Sequence, residues 1–192
     1  MLREQAGLLW AWWQGDALPV LAPLPGLAAV AATDTEALAN LMEIPAADVL
    51  ELMQRERRPY LALLGTHTAA YGWSASGQAS FGGGLVAFQL PARNRYLYDF
   101  VTLPAWRGQG VYPHLLQAIL SQESQEHERF WIIHQSSNVA SERGISKAGF
   151  ILASRVYFQH DDSLALVPAS GAIERARAGA ALLGLPLIED TD

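Results

Sequence analysis

One segment constrains the fold more than any other. Arg95 to Leu103 alternates as a strand would, Pro104 ends it, and Arg107-Gly108-Gln109-Gly110 follows as a glycine-bearing loop. From Gly110 onward the period changes, and Val111, Leu115, Leu116, Ile119 and Leu120 fall on one helical stripe. A strand that turns through glycines into a helix points successive backbone N–H groups into one hollow. The first helical N–H groups lack partners within the helix, and the helix dipole favours negative charge there. The same residues also serve as an ordinary strand-to-helix turn. Two other phosphate loops are excluded by residue identity. A P-loop needs Gly-Lys-Ser/Thr at the helix start, and Lys147 is the sole lysine. A dinucleotide fingerprint would place a third glycine where Pro113 stands.

Composition narrows the classes further. With 192 residues, 51% of them hydrophobic, the chain can bury a core and is too apolar for a disordered tail. The absence of cysteine excludes disulfide scaffolds, thiolate catalysis and thiolate-held metals. A formal net charge of −6, with no basic run, argues against a nucleic-acid partner. The longest apolar stretch, Ala17 to Ala32, is broken by Pro19, Pro23, Pro25 and Gly26, so no membrane span is expected. Arg3 and Ala29-Val30-Ala31 mimic a secretion signal, but Glu4, Asp16 and the prolines interrupt its apolar centre. A cytoplasmic protein is expected.

Along the chain, Ala6, Leu9, Trp10 and Trp13 recur at three- and four-residue spacing, which predicts a helix over Met1 to Asp16. A proline-rich connector follows to Gly26, then a short strand over Leu27 to Ala32. Thr33 and Glu36 have the spacing of a capping box, and Pro45 restarts a second helix. Tyr60 to Leu64 and Thr68 to Trp73 read as a hairpin, Ser74 to Gly84 as a loop, and Leu85 to Leu90 as a strand. After the central segment come a strand over Phe130 to His134, a helix over Asn138 to Ala148 stopped by Gly149, and a strand over Phe150 to Gln159. A tail helix spans roughly Ala169 to Leu183. The order predicts an α+β fold with a largely antiparallel sheet. Its expected division is an N-terminal helix and connector (1–26), a main domain (27–160) and a C-terminal tail with a helix (161–192).

Arg107-Gly108-Gln109-Gly110-Val111-Tyr112 resembles the Gln/Arg-x-x-Gly-x-Gly/Ala loop of the GNAT superfamily of acyl-CoA-dependent N-acyltransferases. Downstream, Asn138, Ser141 and Lys147-Ala148-Gly149-Phe150 are similar to that family's helix and its entry into the next strand. Ala70-Tyr71-Gly72-Trp73 is similar to its third strand. The resemblance covers about Leu27 to Gln159. It implies a GNAT-like central sheet with splayed middle strands flanked by helices. It also implies acetyl-CoA as cosubstrate, its pantetheine arm on Val101, Thr102, Leu103 and Asn138. The diphosphate would rest on Arg107, Gly108, Gln109, Gly110, Val111 and Tyr112. A primary amine of a small molecule or peptide would attack the thioester directly.

The pattern departs from the family at three points. Tyr112 replaces a Gly or Ala, so its side chain must turn away from the diphosphate or cover it. Ile145 stands where the family's tyrosine acid lies. The family's glutamate base is missing, leaving Tyr98, Asp99 and His134 as the candidate catalytic residues. Asp99 serves as base only if a bulge turns it inward, and Tyr98 also suits the acceptor wall. The histidines lack metal-ligand spacing, so no metal is expected. Trp10, Trp12 and Trp13 pack on the domain, or form a homodimer contact or a lid. A non-catalytic acyl-CoA-binding module on the same fold is the alternative function. The acceptor pocket is expected from the first two helices and the Ser74–Gly84 loop.

Overall fold

The N-terminal segment is a strand, not the expected helix. Leu2–Trp13 forms β1, buried continuously from Gly7 to Trp12. A strand covered on both faces reads as an unbroken apolar run, so its period of two is invisible in the sequence. Leu8, Trp10 and Trp12 face one layer while Leu9 and Ala11 face the other. Each fully buried tryptophan removes roughly 150–250 Å² of surface, about 4–6 kcal/mol of gross burial.

The computed structural model describes residues 2–189; Met1 and residues 190–192, the ends of the predicted N-terminal helix and tail, lie outside it. After β1 come β2 (Leu27–Ala31), α1 (Thr35–Met42), α2 (Ala46–Gln54), β3 (Arg57–Leu64), β4 (His67–Ala75), β5 (Gln78–Phe81), β6 (Val86–Gln89) and β7 (Asn94–Thr102). A 3₁₀ turn at Pro104–Trp106 leads to α3 (Val111–Glu123), β8 (Arg129–Gln135), α4 (Val139–Lys147), β9 (Ile151–Gln159), β10 (Leu164–Pro168) and α5 (Ile173–Leu183). Among the described residues no helix is long and apolar enough to cross a membrane.

Eight strands form one sheet in the order β10-β9-β1-β8-β7-β4-β3-β2, and β5 and β6 pair separately. The fold is therefore α+β with a largely antiparallel sheet, as expected. Pairing of β7 with β8 is parallel and runs only from Asn94 opposite Arg129 to Tyr96 opposite Trp131. Beyond Tyr96 the two strands separate. β1 lies antiparallel between β8 and β9, so the predicted 1–26 segment supplies an interior strand of the main sheet. The tail is likewise part of the sheet through β10, which sequence periodicity missed, and α5 begins at Ile173.

Helices cover both faces. Val111, Leu115, Leu116, Ile119 and Leu120 of α3 and Ile145 of α4 pack on Leu8, Trp10, Phe130 and Ile132. On the other face α5 and the β5–β6 hairpin cover Leu9, Tyr96 and Trp131, and α1 and α2 enclose Trp73. The cap of α1 is Asp34 rather than Thr33: its carboxylate accepts from the Ala37 N–H at 3.0 Å. The expected Ser74–Gly84 loop is shorter, because β4 extends to Ala75 and Gln78 already begins β5.

Glu123, at the end of α3, is fully buried beneath the sheet. It accepts from the Tyr60 and Ser74 hydroxyls, each at 2.8 Å, and pairs with Arg95 at 3.0 Å and Arg58 at 3.3 Å. Two cations and two hydroxyls satisfy one buried carboxylate.

Candidate acyl-transfer site

The loop after β7 is held from within. The Arg107 Nε–H donates to the Thr102 carbonyl at 3.0 Å, and the Gln109 side-chain amide donates to the Ala105 carbonyl at 3.0 Å. Gly108 and Gly110 take the left-handed backbone (φ 76° and 82°) that lets the chain turn back into α3. Gly110 caps α3 without a side chain. The backbone N–H groups from Gly108 to Tyr112 have no hydrogen-bond partner among the described residues, and the helix start adds its dipole. Unpartnered donors at a helix start are the geometry that suits an anion. The His114 ring bonds the Gly110 carbonyl at 2.8 Å and closes the first turn.

Arg107, Gly108 and Gln109 are exposed around the cradle, and the Val111 side chain is buried. Tyr112 turns away from the loop. Its ring lies against Phe100, with centroids 5.3 Å apart, and against α4, where a Cβ on Gly144 would come within 2.4 Å of it. Burial there drives the Tyr112 phenol strongly upward from its ordinary value. Gly144 thus makes room for the large residue at the sixth loop position. Gly144→Val is expected to cost about 1–3 kcal/mol of stability by overpacking, read as a lower urea midpoint. The added change Tyr112→Ala should restore part of it; no recovery would mean the two residues are not coupled.

The pantetheine expectation needs one correction. The Leu103 N–H donates to the Ala69 carbonyl at 2.9 Å, and the Leu103 carbonyl accepts from Trp106 at 2.9 Å. Both of its backbone groups are occupied. Because ladder bonds alternate along a strand, Val101 turns its polar groups toward β4 as well, and Thr102 faces the gap with its N–H, its carbonyl already accepting from Arg107. Asn138 caps α4, its side-chain oxygen accepting from the Ser141 N–H at 3.0 Å, so only its amide N–H groups remain for a ligand.

The gap between β7 and β8 opens on the other face into a cavity of about 760 Å³. Its walls include Tyr96, Tyr98 and Asp99 of β7, Ile133 and His134 of β8, Gln5 of β1, and the β5–β6 hairpin tip from Ser80 to Leu85. Asp99 sits on a bulge. Tyr71 pairs with Val101 and Trp73 with Tyr98, so Asp99 and Phe100 together oppose Gly72. The bulge gives Asp99 a positive φ of 51° and brings it to the cavity wall. Surrounding protein pushes the Asp99 carboxyl upward from its ordinary value, and the positive charge of Arg57 pulls it partly back. Tyr98 stacks between Tyr96 and Trp73, and its hydroxyl accepts from Arg57 at 3.1 Å. Burial raises its phenol to about 12, against the opposing pull of Arg57.

His134 is placed differently from a free base. Its Nε2 accepts from the Trp10 indole N–H at 3.0 Å, and its Nδ1 bonds the Gln135 carbonyl at 2.8 Å. Both ring nitrogens are engaged, so taking a proton at Nε2 requires breaking the indole bond. Ile145 is fully buried and offers no acid.

Arg57 was not among the residues singled out from sequence. It opens β3 and crosses the row occupied by Ala75, whose methyl group leaves room to reach Tyr98. In the sequence it stands only as one of three closely spaced arginines, Arg55, Arg57 and Arg58, interrupted by Glu56. The two neighbours of this strand part: Arg58 turns to Glu123, Arg57 to the cavity. The expected contribution of α1 and α2 to the pocket is replaced by the hairpin tip, for these helices pack over Trp73 instead.

No family model and no curated protein matches the sequence. Solved structures do resemble it. Over 79% of its length the chain is similar to 54% of a GNAT-family acetyltransferase from Colwellia psychrerythraea, with a TM-score of 0.55 and 16% identity. Over 80% it is similar to 51% of a GCN5-related N-acetyltransferase from Sphaerobacter thermophilus, with a TM-score of 0.58 and 15% identity. This chain therefore spans about half the length of those two proteins. A chain from Salmonella typhimurium, solved with its cofactor acetyl-CoA, aligns over 68% of this chain and 80% of its own (TM-score 0.50, 14% identity). The likeness is one of architecture, and it accords with strands that part beyond Tyr96 and a glycine loop that feeds α3: the chain has the GNAT acetyltransferase fold.

Proposed function

We propose that this chain is a GNAT-type acetyltransferase that moves the acetyl group of acetyl-CoA to a primary amine. The observation that carries this reading is the presence of two features along β7 and the loop that follows it. On one side lies a cradle of unpartnered N–H groups from Gly108 to Tyr112; on the other lies a cavity with a carboxylate, Asp99, in its wall. Acetyl-CoA supplies a thioester whose carbonyl carbon accepts the amine and whose thiolate leaves. The cradle holds the diphosphate through charge-assisted bonds of roughly 1.5–3 kcal/mol each. The Thr102 N–H and the Asn138 amide N–H groups hold the pantetheine arm. Asp99 takes one proton of the incoming ammonium; the free amine then forms the new C–N bond as the C–S bond breaks, and the nitrogen's second proton passes to solvent. Solvent protonates the departing thiolate, whose weak basicity needs no dedicated acid. Tyr98 shapes the acceptor wall.

Calorimetric titration with acetyl-CoA tests the coenzyme half. Gly110→Trp is expected to abolish binding while the protein stays folded, since the new ring fills the cradle and Gly110 needs its left-handed backbone. Retained affinity in that variant would remove the loop from the site. A second reading, a non-catalytic acyl-CoA-binding module, draws on the occupied nitrogens of His134 and on buried Ile145. Coenzyme binding with no release of free coenzyme A across a broad amine panel would favour it.

A further inference from the structure

The cavity on the acceptor side carries charges of both signs that the protein leaves unpaired. Asp99 and Glu4 line it, and among the described residues neither has a cation within 4.0 Å. Arg57 is the one arginine or lysine in its lining, and among the described residues no carboxylate lies within 4.0 Å of its guanidinium. The Arg57 Nε–H is buried without a hydrogen-bond partner, and one terminal nitrogen is held by the Tyr98 hydroxyl at 3.1 Å. The guanidinium carbon stands 5.4 Å from the centre of the Tyr98 ring. The side chain is therefore fixed in orientation, while part of its donor fork has no acceptor in the protein. A buried donor without a partner costs free energy unless a ligand supplies the acceptor. Part of the lining is apolar, with Phe81, Phe158, Ile133 and Leu164 beside Tyr96, while Gln5, Ser80 and Gln135–Ser137 keep another part polar.

From this arrangement we infer that the acceptor is a free amino acid with a large apolar or aromatic side chain. Arg57 binds its carboxylate, Asp99 meets its ammonium, and the aromatic and aliphatic wall takes its side chain. A guanidinium matches a carboxylate in two parallel hydrogen bonds, geometry that a lone positive charge does not reproduce. An amine lacking the carboxylate would leave the Arg57 fork unpaired in the closed complex, and a site built for a polar group rejects a ligand without it. The inference rests on the acetyl-transfer reading for its chemistry but not for the binding itself.

The test uses matched acceptors: L-phenylalanine against L-phenylalaninamide and phenethylamine, and L-leucine against L-leucinamide and isoamylamine. Coenzyme A release and calorimetric binding are both measured. The free acids should exceed their amides by about 10²-fold in kcat/KM, chiefly through KM. Arg57→Met should reduce that preference to less than about tenfold, and Arg57→Lys should restore part of it. If Arg57→Met does not fold, the acid-to-amide ratio of the unaltered protein decides alone. Amides or simple amines accepted as well as the acids would overturn the inference and leave acetyl transfer standing. Free acids that bind, with amides that do not, and no coenzyme A release would keep the inference and remove acetyl transfer. Absence of both binding and transfer of the acids overturns it outright.

Discussion

Asp99→Asn is expected to lower kcat/KM for acetyl transfer by about 10²–10⁴, the usual range for loss of a general base, with acetyl-CoA affinity retained. Asparagine tolerates the positive φ of 51° that the bulge imposes, so the backbone at the gap survives the change. The unaltered protein should lose activity as pH falls through the Asp99 pKa, which the surrounding protein raises from its ordinary value and the Arg57 charge partly lowers again. The asparagine variant should lack that acidic limb. Stability should move the other way. A carboxyl whose pKa is higher in the folded state binds its proton more tightly there than in the unfolded chain. Its favourable contribution is present below the unfolded pKa and lost as pH rises through the folded one. At Asp99, whose side chain is exposed at the cavity wall, this contribution is small, so Asp99→Asn should leave the melting temperature at neutral pH unchanged or slightly higher. An unchanged pH–rate profile would remove Asp99 from the role of base.

The parts of this molecule that sequence exposes are those whose physics is local. Gly108, Gly110 and the stripe from Val111 to Leu120 announce a turn and a helix within a few residues, and the loop stands where they place it. Gly149 ends α4 with a φ of 100°, again a local necessity. β1 is the opposite case. Its residues are apolar on both sides because β8 and β9 flank it and helices cover both faces, and none of those partners is near it in the chain. Spacing alone then matched a helix. The direction of Tyr112 depended on Gly144, and the meaning of Arg57 depended on Tyr98, whose hydroxyl it holds from two strands away. The Asp99 bulge needed a register between β4 and β7 that no local signal specifies. His134 was legible as a histidine at the end of the parting strand. Its engagement by Trp10 followed only once β1 was known to be its neighbour.

Glu123→Ala is expected to destabilise the fold by about 3–5 kcal/mol, the range for breaking a buried charge cluster by removing one partner. The side chain has no exposed surface and that of Arg95 only 8%, so the truncation strands a guanidinium that water cannot reach freely. The Tyr60 and Ser74 hydroxyls lose their acceptor as well, and the phenol of Tyr60, raised to about 12 chiefly by burial, cannot compensate by ionising. For a chain of this length the loss corresponds to a fall of roughly 6–20 °C in Tm. The paired change Glu123→Leu with Arg95→Met should cost less than Glu123→Leu alone, since it removes the stranded charge together with its partner. A double variant as unstable as the sum of its parts would show that packing, not charge, is what Glu123 supplies. The cluster lies at the far end of α3 from the cradle, twelve residues and about 18 Å of helix away. The folded fraction of either variant should accordingly bind acetyl-CoA with unchanged affinity, which separates a defect of the scaffold from a defect of the site.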